Sequence, residues 1–425
     1  MAESHDGGSR NPLKPNRSVS TKMQDVILKV DAFAYRGKAV AAMPSGKRCF
    51  IRGGAPGDVL AVEIVKEKKS YAEGVIREIL TPSPNRIRPV CPYAGECPGC
   101  SYAHVGYATE LEWKQKQFER FLVHPGLVDP AGMRKPVPAD RRTGWRNKIR
   151  LTVEKSGETV RTGYRMEDNR TVLDIRNCLL ACPEIARMME KKLGDREFRS
   201  HLPEGTSFLT FRYTPADGAI LLEEEGVELK RKWLTDTIPA FGDFSVPRAS
   251  FFQINPGMAS RLGEEFLRIV RKVEPELFLE LYCGCGVFSA LAAEAGVERI
   301  FGVEIDSESV RAASRNLRSR GLPRCRFLAG DAVRMLDQLP LHPERRSLLL
   351  VDPPRTGLER RVIETIGKSS VRDLVYVSCG PDTLARDLAL FRNQGWTVVE
   401  TGLFDFFPTT AHFESLTYLK RGEPA

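Results

Sequence analysis

The chain has 425 residues, of which 42% are hydrophobic and 28% are charged. This length allows about three domains of ordinary size, and the composition is typical of a soluble globular protein. The 64 Lys and Arg residues outnumber the 55 Asp and Glu residues, and the charge is uneven, because residues 1–150 sum to +11 and the remainder sums to −2. A basic front on a near-neutral body indicates a polyanionic partner.

The composition and the first residues also exclude several classes of protein. No apolar run reaches the roughly 18–20 residues that a membrane span needs, and residues 1–21 lack the apolar stretch of a signal peptide. We therefore expect a cytoplasmic protein with a disordered tail over residues 1–21. Ten cysteines are too few for a disulfide scaffold of this length. In a reducing compartment, clustered cysteines indicate a metal site or catalysis.

Strand patterns fill residues 22–83. Apolar and polar residues alternate in DVILKVDAFAYRGKAVAAM, KRCFIRGG and GDVLAVEIVKEKKSYAEGVIREIL, and glycines mark the turns. A small OB-like β-barrel suits this length. The stretch TPSPNRIRP that follows indicates a linker, which leads to a mixed α+β central domain over residues 84–245.

Three cysteines, Cys91, Cys97 and Cys100, lie close together in the loop CPYAGECPGC. A fourth ligand must come from elsewhere, and Cys178 and Cys182 are both candidates. Four cysteines can bind a structural zinc ion or a [4Fe–4S] cluster. Zinc sites usually combine two close pairs of cysteines, whereas here three are grouped, which favours the iron–sulfur cluster.

A basic stretch, RRTGWRNKIR, covers residues 141–150 and places five positive charges around one tryptophan. Arg146, Lys148 and Arg150 can contact phosphates, and Trp145 can stack on a base. This combination is typical of a site for single-stranded RNA. The alternative is a solvated charged face without a partner.

From residue 246 to residue 421 strand-like and helical patterns alternate, which predicts a doubly wound α/β sheet. The strand-like runs are FLELYC, RIFGVEI, RCRFLAG, SLLLVDPP, DLVYVSC, WTVVETGLF and FESLTYLK. The last two have no helical pattern between them. We expect these two to form an antiparallel pair at the edge of the sheet.

The first strand of this sheet runs into a loop with Gly284 and Gly286. Glycines in the first β-to-α turn let a ligand approach the backbone at a helix start. Ser289 stands where a dinucleotide fingerprint requires its third glycine, which favours a different adenosine ligand. Glu304 and Asp331 follow the next two strands, where they can contact the ribose and the adenine.

Asp352 and Cys379 follow two further strands, and Glu414 lies at the start of the last one, beside His412. Cys379 also precedes the helical pattern PDTLARDL, whose dipole favours a thiolate. These features indicate a nucleophile, although a buried structural thiol is the alternative. Glu414 is either a base or an edge charge.

Taken together, five stretches resemble the RNA uracil-5-methyltransferase family, and they occur in the family's order: SFFQINP, ELYCGCGVFS, VDPPRTGLE, YVSCGPDTLARDL and FPTTAHFES. The resemblance covers about residues 22–421. It implies a Rossmann-like class I methyltransferase domain that uses S-adenosylmethionine, over residues 246–421. It also implies that the barrel is an RNA-binding TRAM domain and that the central domain carries an iron–sulfur site and an RNA-binding surface.

The resemblance further implies roles for individual residues. Cys379 would be the nucleophile that adds to carbon 6 of uracil, and Glu414 would be the base. Asp352 would contact either the uracil edge or the methyl donor. The positions that line the cofactor or the reacting base are Gln253, Tyr282, Gly284, Gly286, Glu304, Asp331 and Asp352. The cluster ligands would be Cys91, Cys97, Cys100 and Cys178, with Cys182 as the neighbouring alternative.

The chain departs from the family pattern at two positions. Gly380 follows the nucleophile where members commonly have Asn, and Val287 stands where some have a polar residue. Neither removes a group that the chemistry requires. The expected substrate is a uridine in 23S ribosomal RNA, flipped out of its stack. Transfer RNA and a non-catalytic RNA-binding or assembly role are the alternatives. We expect a monomer and no DNA or membrane partner.

Overall fold

The computed structural model describes residues 25–223, 232–322, 325–340 and 345–422. The tail predicted for residues 1–21 lies outside these ranges. Within them the chain forms a barrel, a central α+β unit and a large α/β sheet. No helix in these ranges is both long enough and apolar enough to cross a bilayer.

The first five strands close into a barrel with the order β1-β2-β3-β5-β4, in which β3 and β5 run parallel. The alternate residues that the sequence pattern assigns to one face fill its interior, among them Leu28, Val30, Leu60 and Val62. The OB-like barrel of the predicted fold class is therefore confirmed. Its strands are β1 (Val26–Phe33), β2 (Ala39–Ala42), β3 (Arg48–Ile51), β4 (Val59–Glu67) and β5 (Tyr71–Thr81).

Helix α1 (Tyr107–Leu122) joins the barrel to the rest of the molecule. Lys114 is fully buried on it, and its Nζ donates to Glu110 Oε1 at 2.8 Å and to Asp405 Oδ1 at 2.7 Å. The Tyr107 hydroxyl donates to Asp405 Oδ2 at 2.8 Å. Buried charges are tolerated only when they are paired and hydrogen-bonded. This network therefore fixes α1 against the loop that contains Asp405.

The central unit is an antiparallel sheet with the order β10-β9-β6-β7-β8. Ile149, Leu151 and Val153 of β6 pack against Ile185 and Met189 of α2 in one hydrophobic core. Because side chains alternate along a strand, the residues between them point to the opposite face. The elements are β6 (Lys148–Ser156), β7 (Thr159–Arg165), β8 (Val172–Asp174), α2 (Pro183–Gly194), α3 (Arg196–Ser200), β9 (Gly205–Thr214) and β10 (Gly218–Leu221).

The C-terminal sheet has seven strands in the order β15-β14-β13-β16-β17-β19-β18. Its strands are β13 (Leu277–Leu281), β14 (Arg299–Glu304), β15 (Cys325–Ala329), β16 (Ser347–Val351), β17 (Asp373–Ser378), β18 (Trp396–Phe404) and β19 (Glu414–Arg421). Its helices are α4 (Pro256–Val273), α5 (Val287–Glu294), α6 (Ser307–Ser319), α7 (Ala332–Met335), α8 (Arg360–Lys368) and α9 (Pro381–Arg392).

Strands β13 to β17 are parallel, so their carboxyl ends lie along one edge of the sheet. Strand β19 runs antiparallel to β17, and β18 pairs with β19 at the outer edge. The doubly wound sheet and its antiparallel edge pair are therefore confirmed. In such sheets ligands bind beyond the carboxyl ends of the parallel strands.

A hairpin of β11 (Trp233–Ile238) and β12 (Gly242–Pro247) precedes α4. Its residues Ile238, Phe244 and Val246 belong to the same hydrophobic core as Phe266 of α4. The domain boundaries remain predictions, and this packing favours a start of the C-terminal domain before residue 246.

Candidate functional site

The loop after β13 turns sharply through residues with positive φ angles. Tyr282, Gly284 and Gly286 have φ of 64°, 50° and 76°. A Cβ on Gly286 would lie 2.8 Å from the Ala313 Cβ of α6, whereas a Cβ on Gly284 would meet no atom within 4 Å. Gly286 thus permits close helix packing, and Gly284 leaves open space above the backbone. This space is where a ligand can approach the loop.

Glu304 lies at the end of β14, beside this loop. Its Oε2 accepts a hydrogen bond from Gly284 N at 3.1 Å, and its Oε1 accepts one from Asp306 N at 2.9 Å. A carboxylate has about four lone-pair sites. The structure therefore holds Glu304 rigidly while leaving capacity to accept from a ribose diol.

Asp331 follows β15 on the adjacent strand and caps the short helix α7. Its Oδ1 accepts from Val333 N at 3.0 Å and from Arg334 N at 3.3 Å. Because β13, β14 and β15 are neighbours, the glycine loop, Glu304 and Asp331 lie side by side at one edge. The sequence predicted this juxtaposition.

Gln253 is half-buried in the segment before α4. The segment is fixed at both ends, because Ser250 Oγ donates to Asp306 Oδ2 at 2.7 Å and Asn255 Nδ2 donates to Phe406 O at 2.8 Å. Asn147 Nδ2 donates to Gln253 O at 3.2 Å. Gln253 is thus positioned between the central sheet and the cofactor edge.

Cys379 and Glu414 meet at the ends of neighbouring strands. Ser378 pairs with Ser415 in the antiparallel ladder of β17 and β19. The next residue outward on each strand is Cys379 on one side and Glu414 on the other. Both side chains are half-buried, so a substrate can reach them.

Burial and neighbouring charges change the pKa values of Cys379 and Glu414. Burial raises the pKa of Cys379 to about 11, aided by Glu414 and Asp352 and opposed by Arg355. Burial and Asp352 raise the pKa of Glu414 well above its usual value, and Arg355 opposes this shift. The thiolate that the dipole of α9 was expected to favour is thus not the resting form. Desolvation and two carboxyl groups outweigh the helix dipole.

Asp352 lies between the two halves of the edge. Burial and the charge of Glu304 raise its pKa to about 7, and its own charge acts on Cys379 and Glu414. Asp352 therefore interacts electrostatically with Glu304 on one side and with Cys379 and Glu414 on the other. The two predicted roles, contact with uracil or with the methyl donor, both fit this position.

Sequence reasoning missed two charged groups in this region. Arg355, an exposed residue after β16, supplies the positive charge that favours ionised Cys379 and Glu414. Glu280 is buried in β13, accepts from Ser289 N at 3.0 Å, and burial raises its pKa to about 8. A lone acid inside the apolar strand FLELYC was a signal for the second. It anchors the start of α5 below the cofactor loop.

The four predicted cluster ligands face one cavity. Cys91, Cys97, Cys100 and Cys178 all line a cavity of about 120 Å³. Cys182 does not line it and instead belongs to the core under the central sheet. Burial is the main cause that raises the pKa of Cys100 to about 12. In the described part of the chain, no group of three or more His, Cys, Asp or Glu side chains is arranged to hold a metal ion.

A direct backbone contact joins the thiol cavity to the loop before Glu414. Tyr102 N, two residues after Cys100, donates to Thr409 O at 2.9 Å. Thr409 also lines the cavity and has a φ of 75°. The thiol loop (residues 91–100) and the loop that leads to Glu414 therefore lie against each other and line the same cavity.

The structure separates the predicted RNA-binding residues. Trp145 is only 4% exposed and packs edge-on against Phe407, with ring centroids 6.0 Å apart. A base cannot stack on a ring in this position, so the stacking role predicted for Trp145 is wrong. Trp145 is odd-numbered, like the buried residues Ile149, Leu151 and Val153 of β6. Arg146 and Lys148 are half-buried and Arg150 is exposed on the other parity, and their contacts with RNA remain a prediction.

Known proteins match this architecture. A family model described as tRNA (Uracil-5-)-methyltransferase matches residues 224–422. An uncharacterized RNA methyltransferase of Halalkalibacterium halodurans is 28% identical over 96% of this chain and 98% of its own length. A 23S rRNA (uracil(1939)-C(5))-methyltransferase of Xylella fastidiosa is 30% identical over 96% of this chain and 99% of its own length.

Among solved structures, a tRNA (uracil-54, C5)-methyltransferase of Pyrococcus abyssi, in complex with S-adenosyl-L-homocysteine, superposes with a TM-score of 0.69. The match has 21% sequence identity and covers 93% of this chain and 100% of that one.

The doubly wound sheet with its glycine loop at the edge is the fold of a class I methyltransferase. Within this class, the chain belongs to the RNA uracil-5-methyltransferase family. It is an RNA uracil-5-methyltransferase, as its five sequence motifs indicated.

Proposed function

We propose that this enzyme methylates carbon 5 of a uridine in 23S ribosomal RNA, with Cys379 as the nucleophile and Glu414 as the base. The observation that carries the mechanism is the position of these two side chains beside the Ser378–Ser415 pair, at the edge that also holds Glu304. A nucleophile and a base on rigid neighbouring strands can act on the two adjacent carbons of one bond, carbon 6 and carbon 5.

The proposed reaction begins with the loss of the Cys379 thiol proton. The thiol, whose pKa is raised to about 11, gives this proton to solvent water, and the charge of Arg355 favours the thiolate that remains. Cys379 Sγ then forms a bond to carbon 6, which makes carbon 5 a nucleophile. Bound S-adenosylmethionine supplies the methyl group.

Glu414 then takes the proton from carbon 5, and the bond between Sγ and carbon 6 breaks. The raised pKa of Glu414 makes its carboxylate a stronger base than a solvated glutamate. The thiolate leaves, the double bond re-forms, and the product is 5-methyluridine. Cys379 ends the cycle as it began, because the bond between Sγ and carbon 6 forms and then breaks. No step oxidises or reduces the enzyme, so it needs no external oxidant or reductant.

The cofactor residues divide between the backbone and the side chains. Gly284 gives the open approach, Gly286 the helix packing, and Tyr282 the turn, while Glu304 would accept from the ribose and Asp331 would face the adenine. Gln253 and Asp352 would complete the site toward the methyl donor. All seven lie along the carboxyl edge or in the segment fixed to it.

The thiol cavity fits a [4Fe–4S] cluster in the chemistry of its donors, because four thiols line one cavity, although the described side chains are not already gathered into a metal-holding group. Thiolate ligation by four cysteines is the usual way to hold such a cluster. Cys178 is the proposed fourth ligand, since Cys182 lies in the apolar core. When bound, the cluster would cross-link the loop of residues 91–100 to the segment around Cys178.

Ribosomal RNA is the favoured substrate because the relative of Xylella fastidiosa is named for 23S rRNA and matches this chain over nearly its whole length. The solved structure from Pyrococcus abyssi is named for transfer RNA, which makes transfer RNA the second candidate. The barrel and the central sheet would bind the RNA around the flipped uridine.

The test uses protein purified without oxygen, labelled S-adenosylmethionine, and separate ribosomal and transfer RNA fractions that lack 5-methyluridine. The RNA is digested, and labelled 5-methyluridine is measured by mass spectrometry. Label in ribosomal RNA, absent with Cys379→Ala, is the expected result. Label confined to transfer RNA would overturn the substrate, and equal label with Cys379→Ala would overturn the mechanism.

A further inference from the structure

One face of the central sheet is partly open, although Thr210 and Arg212 of β9 are buried on it. The odd-numbered residues of β6 are covered by α2, whereas the even-numbered ones face away from that core. On this open face Arg150 is exposed, and Phe208 of β9 is 41% exposed. An aromatic ring next to an arginine is a combination on which unpaired RNA bases stack.

Arg150 and Phe208 form a stacked pair. Arg150 Cζ lies 3.8 Å from the centroid of the Phe208 ring. The register pairs Arg150 with Thr210 and Thr152 with Phe208, so the two residues are diagonal neighbours within reach of long side chains. The guanidinium covers the ring and presents its own plane, and a plane of this kind is a platform on which a base can stack.

The surroundings of this pair carry an excess of positive charge. Lys148 lies on the same strand face, and Arg161 lies opposite Glu154 in the ladder of β6 and β7. The acids on this face are engaged, because Glu154 accepts from Arg165 at 3.2 Å and Glu223 accepts from Thr210 Oγ1 at 2.6 Å. Such a surface is complementary to a phosphate backbone.

The pair also lies near the catalytic edge. Asn147, the residue before β6, donates from its backbone N to Ile254 O at 3.0 Å and from its side chain to Gln253 O at 3.2 Å. Three residues of extended strand, roughly 10 Å, separate Asn147 from Arg150. A strand that begins at the cofactor segment thus leads directly to the stacked pair.

We propose that Arg150 and Phe208 form a stacking platform for an unpaired base that flanks the target uridine. The occupant is single-stranded RNA, and the proposal rests on the proposed function. It replaces the stacking role that the sequence assigned to Trp145 with the exposed guanidinium plane of Arg150, supported by the Phe208 ring beneath it. The barrel and the basic face hold the backbone, and the platform holds one base next to the flipped nucleotide.

The test measures the affinity of the full-length enzyme for a short fluorescein-labelled oligouridylate by anisotropy over a range of salt concentrations. Phe208→Leu keeps an apolar side chain but removes the ring, and we expect affinity to fall about 5- to 150-fold, the range for loss of one stacked base. Phe208→Tyr keeps the ring and should bind within about twofold of the parent.

Variants of Arg150 separate charge from stacking. Arg150→Ala should weaken binding and reduce the slope of log affinity against log salt by about one. Arg150→Lys keeps the charge and therefore the slope, but it loses the plane and should still bind weakly. The matched control is Phe198→Leu, since Phe198 also contacts a cation, Lys192, but lies on the covered side of the sheet.

Unchanged affinity in Phe208→Leu, with a normal melting temperature, would overturn the platform. Equal losses in Phe198→Leu would also overturn it, because the effect would then be structural. Failure of the proposed function looks different. An enzyme that makes no 5-methyluridine, but whose oligouridylate affinity falls with Phe208→Leu and not with Phe198→Leu, retains the platform.

Discussion

Cys379 at the sheet edge and Cys100 in the thiol cavity have similarly raised pKa values but different surroundings. Burial raises the pKa of Cys379 to about 11 and that of Cys100 to about 12. Cys379 stands at a strand end and faces carboxyl groups and a guanidinium, whereas Cys100 faces three other thiols in a cavity formed by loops. The proposed roles, nucleophile for Cys379 and ligand for Cys100, therefore rest on the partners of each thiol rather than on its acidity.

The difference extends to how the two sites are supported. The proposed catalytic residues Asp352, Cys379 and Glu414 lie at the ends of β16, β17 and β19. The hydrogen-bonded ladder of these strands fixes their positions. The thiol loop, residues 91–100, has little regular structure and is held by individual hydrogen bonds, such as Arg52 Nη2 to Cys97 O at 2.6 Å, and by the contact between Tyr102 and Thr409 that follows it. Strand ends suit a reaction that needs fixed geometry. A loop suits ligands that a bound group can draw together.

The largest expected effect is the loss of turnover when the proposed nucleophile, Cys379, is replaced. Cys379→Ala should lower kcat by at least about 10⁴-fold, because the covalent step has no other nucleophile. S-adenosylmethionine binding, measured by calorimetry, should be unchanged. The matched control is Cys325→Ala, since Cys325 is half-buried and burial raises its pKa to about 11 as well. Substantial turnover in Cys379→Ala would contradict the assignment.

Glu414→Gln should separate the two halves of the reaction. Addition and methyl transfer can still occur, but the proton at carbon 5 has no base, so kcat should fall about 10²- to 10⁴-fold. A covalent protein–RNA adduct should accumulate and survive denaturing electrophoresis. The double variant Glu414→Gln with Cys379→Ala should give no adduct. Normal turnover without an adduct would remove Glu414 from the role of base.

At the thiol cavity, the expected effect concerns bound iron. Cys91→Ser should remove most of the roughly four iron atoms that a [4Fe–4S] cluster contributes per chain. Cys182→Ser should retain them, because Cys182 lies outside the cavity and caps α2, where serine is a good substitute. Iron analysis and the visible absorption of anaerobic protein measure both. Full iron content in Cys91→Ser would refute the ligand set.

The strand ends could be predicted from the sequence because their signal is local. Each apolar run is followed directly by a polar residue, and parallel strands bring these residues to one edge without further information. Glu304, Asp331, Asp352 and Cys379 are all placed in this way. The alternation of buried and exposed residues also indicates that Trp145 is buried, since it is odd-numbered like the buried residues of β6. The basic residues around it nevertheless led to the prediction of an exposed stacking residue.

Contacts between distant segments could not be predicted in this way. The ion pair between Lys114 and Asp405 joins residues 291 positions apart, and it buries a lysine on a helix whose pattern gave no sign of this. Phe208 and Arg150 meet through a strand register that only the folded sheet defines. Arg355 acts on Cys379 across a loop. Such effects depend on the tertiary arrangement of elements rather than on their existence.

The smallest expected effect is a change in the reactivity of Cys379 with pH, which tests the raised pKa of this thiol. Thiolate is the reactive form, and the pKa of Cys379 is raised to about 11. Its alkylation by iodoacetamide should therefore rise about tenfold per pH unit across the neutral and mildly alkaline range. Peptide mass spectrometry at Cys379 measures the rate separately from the other thiols.

Changing the neighbours should move this profile in opposite directions. Arg355→Gln removes the charge that favours the thiolate and should shift the alkylation profile of Cys379 to higher pH. Glu414→Gln removes a group that raises the pKa of Cys379 and should shift the profile to lower pH. A rate that stayed constant with pH would mean that Cys379 is already ionised at rest. The dipole of α9 would then outweigh burial, and Cys379 would differ from Cys100 in acidity as well as in its partners.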